Sequence, residues 1–70
     1  MVESDIAELS TIGAQLEDLA TRVEAVGDRY RDSPDSAVAN DIDLAERSLI
    51  AARRAIARAT RTLADSTNDT

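Results

Sequence analysis

Carboxylates are the only side chains in this sequence numerous enough to suggest chemistry. There are 14 acidic residues against 8 basic ones in 70, with no histidine and no cysteine. Two close pairs, Glu17 with Asp18 and Asp41 with Asp43, invite an acid–base or divalent-cation reading. Neighbours on a helix point about 100° apart, so Glu17 and Asp18 cannot converge on one small site. Asp41 stands next to Ile42 and near Ala45, and if buried it needs Ser48 or an arginine as partner. Zinc, haem and iron–sulfur sites lose their usual ligands when His and Cys are absent, which leaves only oxygen-bound magnesium or calcium. A di-iron bundle requires Glu-x-x-His, and the chain has no histidine to supply it. Neither a phosphate-cradling glycine loop nor a nucleophile beside a base occurs. The expectation is a non-enzymatic protein with no cofactor, no metal and no small-molecule substrate.

The basic residues point the same way. All are arginines, and the formal charge is −6. Neutralising nucleic-acid phosphates needs positive surface, and base stacking needs aromatic side chains, of which Tyr30 is the single instance. Nucleic acid is therefore disfavoured as a partner. No apolar run approaches the roughly 18 residues of a membrane span, and the start Met1–Ser4 lacks the basic region of a signal peptide. A membrane partner is not expected, and the cytoplasm is the expected location.

What must position these residues is a pair of helices. From Val38 the residues Val38, Ile42, Ala45, Leu49, Ala52, Ile56, Ala59 and Leu63 fall at alternating steps of four and three, the spacing of a seam facing a partner helix. Upstream, Leu9, Ile12, Leu16, Leu19, Val23, Val26 and Tyr30 repeat the pattern. Gly13, Ala20 and Gly27 recur every seven residues beside that seam. Glycine inside a helix costs about 0.5–1 kcal/mol relative to alanine, so a helix is expected to approach closely along this edge. Asp5 with Glu8 reads as a capping arrangement. Ser33–Pro34–Asp35 reads as an N-cap, a first-turn proline and a dipole-matched acid. The spacing predicts helix 1 over about 5–31, a turn over 32–34, helix 2 over about 34–64 and a frayed tail over 65–70. So short a connection makes the fold an all-α antiparallel two-helix hairpin, coiled-coil-like, in a single domain.

Helix 2 carries more weakly polar surface than one neighbour covers. Beyond its seam lie Ala37, Leu44 and Ala51 on one heptad position and Ser48 and Ala55 on the next, widening the face to roughly 160°. A chain of 70 residues without disulfides rarely builds a self-sufficient core. The simplest closure is a homodimer, a four-helix bundle with Ala37, Leu44, Ser48, Ala51 and Ala55 at the dimer interface. Arg47, Arg54 and Arg61 repeat every seven residues on the other side with Arg58 beside them and Ile50 among them, a possible face for a further protein partner. The functional expectation is an oligomerisation or protein-interaction module. The alternative is a small acidic regulator, antitoxin-like or anti-sigma-like, that masks a basic partner.

Overall fold

The computed structural model describes residues 1–34 and 36–68. They form two helices, α1 (Val2–Tyr30) and α2 (Ser36–Asn68), packed against each other as a hairpin about 58 Å long. Among the described residues no helix is long and apolar enough to cross a membrane.

Each helix extends beyond its expected range at one end and stops one or two residues short of it at the turn. α1 begins at Val2, with Met1 at the cap position and no side-chain cap. The Asp5 amide donates to the Met1 carbonyl at 3.0 Å, so Asp5 lies inside the first turn instead of starting it. Glu3 and Asp5 there offset the positive end of the helix dipole, which a capping side chain would otherwise help satisfy. α2 begins at Ser36, two residues later than Pro34, and runs through Asn68, where a frayed tail was expected from residue 65. Nothing between Leu63 and Asn68 is glycine or proline, so no residue there breaks the backbone pattern. Asp35, Asp69 and Thr70 lie outside the described residues, and with them the expected role of Asp35 at the second helix's start.

The turn falls at 31–34, close to its expected place. The Ser33 hydroxyl donates to the Tyr30 carbonyl at 2.9 Å, and the Ser33 amide reaches the same oxygen at 3.2 Å. Those two bonds satisfy a carbonyl that the end of α1 leaves without an intrahelical donor. Five other hydroxyls, on Thr11, Thr21, Ser48, Thr60 and Thr62, donate to the carbonyl four residues back in their own helix. A hydroxyl bonded in this way can face an apolar neighbour without an unmet donor.

The register follows from the glycines. A β-carbon on Gly13 would lie 3.9 Å from Ile56 Cγ2, and one on Gly27 would lie 3.0 Å from Ile42 Cγ2. The two pairings are two heptads apart on both helices, which sets Ala20 level with Leu49. Ala20 and Gly27 are buried, so α1 turns its smallest residues toward the isoleucines and leucine of α2. Large against small lets the backbones come close, as the recurrence of Gly13, Ala20 and Gly27 indicated.

Candidate interaction surface

The seam between the helices is rotated from the one the apolar spacing suggests. Leu9, Ile12, Leu16 and Val23 of α1 and Ile42, Leu49, Ile56 and Leu63 of α2 are half-buried. By contrast Leu19, Val26, Tyr30 and Val38 are 37–42 % exposed, and Ala45, Ala52 and Ala59 are exposed as well. Seven residues expected in the intrachain seam thus stand at its edge. The places opposite α1 are taken instead by Ala39, Glu46, Arg53 and Thr60, of which Ala39 is buried and the others half-buried. The reason is the glycine edge: α1 rolls until Gly13, Ala20 and Gly27 meet α2, and α2 rolls with it. Polar Glu46, Arg53 and Thr60 gave no apolar signal, and the small-residue stripe was the one clue to their position.

This rotation has a definite size and direction. At 100° per residue, the midline of each helix's apolar seam lies about 50° away from the direction of its hairpin mate. Both helices are rotated toward the same side, because Leu19, Val23 and Val26 of α1 line a single groove with Ile42 and Ala45 of α2. Farther along, Leu9, Ile12 and Leu63 line its continuation beside Asp5 and Glu8. In a square four-helix bundle the core lies about 45° from the line joining neighbouring helices. The hairpin's apolar edge thus has the orientation of one half of such a bundle.

The opposite side is polar. Glu17, Thr21, Glu24, Glu46 and Arg53 surround a groove there together with Ala20 and Ile50. Arg53 pairs with Glu17 at 3.9 Å, and Arg31 bridges Asp28 at 2.9 Å and Asp43 at 3.3 Å. Exposed pairs of this kind contribute about 0–1 kcal/mol each, enough to favour the antiparallel register but not to hold it. The Glu46 carboxyl is pushed above its ordinary value, first by desolvation, then by hydrogen bonding to Glu24 and repulsion from Glu24 and Asp43, with Arg31 acting against them.

The remaining candidate residues divide between these sides. Ala37, Leu44, Ser48, Ala51 and Ala55 are all exposed along the outer surface of α2, and Leu44 at 59 % is the most exposed large apolar side chain after Met1. Arg47, Arg54, Arg58 and Arg61 are exposed and have no carboxylate within ion-pair distance among the described residues. Ile50 does not stand among them as an open anchor. It is half-buried in the polar groove, drawn inward by the same roll of α2. Asp41 is exposed, while Asp43 is half-buried and paired. Among the described residues no three carboxylates converge as a metal site would require. Compared with known protein families, curated proteins and solved structures, the chain matches none.

Proposed function

We propose that the protein is a non-enzymatic assembly module whose hairpins self-associate through their apolar edge into a dimeric four-helix bundle. The observation that carries this reading is the shared edge of Leu19, Val26, Val38, Ala45, Ala52 and Ala59, left open on one side of the hairpin. Two quantities support it. Among the described residues no large side chain is fully buried, and the buried apolar ones are Ala20 and Ala39. The accessible surface is 5202 Å² for 7.5 kDa. Compact monomers of that mass expose about 4,200 Å². The excess, about 1,000 Å², is comparable to the roughly 800 Å² that each partner contributes to a stable interface.

Sedimentation of the purified chain from submicromolar to high micromolar concentration tests the proposal. A concentration-dependent dimer that melts cooperatively supports it, with a melting temperature that rises with concentration. A folded monomer throughout that range overturns it.

A further inference from the structure

Two hairpins can close a four-helix bundle with their turns at the same end or at opposite ends. We infer that the second copy is inverted, so that α2 packs antiparallel on α2, α1 packs antiparallel on α1, and the turns lie at opposite ends of the rod. This rests on the self-association proposed above and specifies its geometry. A two-fold axis across the rod must pass both helices at the same level, and each helix marks where that level is.

On α2 the mark is size. Leu44 and Ala55 stand on neighbouring rows of the outer surface, as do Ala51 and Ser48, and all four are exposed. An antiparallel copy centred between Leu49 and Ile50 sets Leu44 against the second copy's Ala55, and Ser48 against its Ala51. The most exposed internal leucine then meets small side chains, and the Ser48 hydroxyl, already donating to the Leu44 carbonyl at 3.0 Å, brings no unmet donor. The same centre sets Asp41 opposite Arg58, a residue with no carboxylate near it among the described residues of its own chain.

On α1 the mark is charge. Glu8 and Arg22 border the apolar groove, and Gln15 and Arg29 lie on the same helical row at seven-residue steps. An antiparallel copy centred between Asp18 and Leu19 places Glu8 against the second copy's Arg29 and Gln15 against its Arg22. The glycine pairings place that point within about one residue, some 1.5 Å, of the centre found on α2. Two unrelated patterns therefore locate one axis. With turns at the same end, Leu44 would instead lie between arginines 22 and 29 of the second copy.

The chain has no cysteine, so Asp32→Cys, at an exposed position in the turn at the end of the rod, accepts a single nitroxide label. The inverted dimer predicts a label-to-label distance near 40 Å by pulsed electron paramagnetic resonance, counting about 1.5 Å of rise per residue from the axis. A distance below about 25 Å in a sedimenting dimer overturns the inverted arrangement and leaves self-association standing. Absence of any dipolar signal, together with a monomer in sedimentation, overturns both.

Discussion

Gly13 and Gly27 occupy equivalent heptad places on α1, yet they stand at different distances from α2, and the difference decides what an alanine does at each. A β-carbon at position 13 makes an ordinary contact with Ile56 at 3.9 Å. Gly13→Ala is therefore expected to stabilise the protein by about 0.5–1 kcal/mol through helix propensity, raising its melting temperature by several degrees. At position 27 the β-carbon would lie 3.0 Å from Ile42 Cγ2, and β-branched Ile42 has little rotamer freedom in a helix to give way. Gly27→Ala is expected to lower the melting temperature, and thermal denaturation of the two variants side by side checks the contrast. A second single-residue effect concerns Glu46. Because its folded carboxyl holds a proton more readily than its ordinary value of 4.5, its contribution to stability is fully present below that pH and is lost as pH rises through the raised value. Glu46→Gln keeps the neutral form at every pH. It is expected to be more stable than the parent at pH 7 and to lose that advantage at pH 4, as melting curves at the two pH values would show.

Within each helix, periodicity revealed the element and its apolar width but not the direction in which it faces. The alternating threes and fours of Ile42, Leu49, Ile56 and Leu63, and the Ser33–Pro34 break, were enough to read two helices and a turn. Which row flanks the inward-facing one depends on how close the backbones come, and glycine edges contribute to that through an absence of side chain that no hydropathy pattern registers. Hence Ala45, Ala52 and Ala59 read as intrachain seam and stand exposed, whereas Glu46, Arg53 and Thr60, which carry no apolar signal, are half-buried against α1. Helix ends were harder to read because Glu3 and Asp5 support a start at Val2 without a capping side chain. This rotation of the helices makes a test available. Ala52 and Ala57 are both exposed positions of α2, but Ala52 lies on the apolar edge while Ala57 lies on the opposite side, lining a second groove with Glu17 and Arg53. Aspartate costs each the same modest helix propensity. Ala52→Asp is expected to weaken dimerisation at least tenfold in sedimentation by burying an unpaired charge, while Ala57→Asp leaves it within about twofold.

Taken whole, the molecule is a thin acidic rod, 58 × 14 × 11 Å, with a formal charge of −6 and an apolar edge along one side. If dimerisation joins two such rods, their net charges oppose it while the apolar edges favour it. Two bodies of charge −6 at about 20 Å repel by about 7 kcal/mol in unscreened water. With a Debye length of about 30 Å at 0.01 M salt, roughly half of that survives, and at about 8 Å in 0.15 M salt less than a tenth does. The flanking pairs, Glu8 with Arg29 and Asp41 with Arg58, each formed twice by the two-fold axis, weaken with salt as well, but at contact distance they lose only about a third of at most about 1 kcal/mol each over this range, too little to reverse the change. Apolar burial is not reduced by this screening. Raising salt from 0.01 to 0.15 M is therefore expected to tighten the dimer by at least about tenfold, measured by sedimentation or by the dilution dependence of helicity. An acidic regulator that masks a basic partner would behave in the opposite sense, binding that partner less tightly as salt rises. A dimer that dissociates on adding salt would mean that charge, and not the open edge of leucine, valine and alanine, holds the copies together.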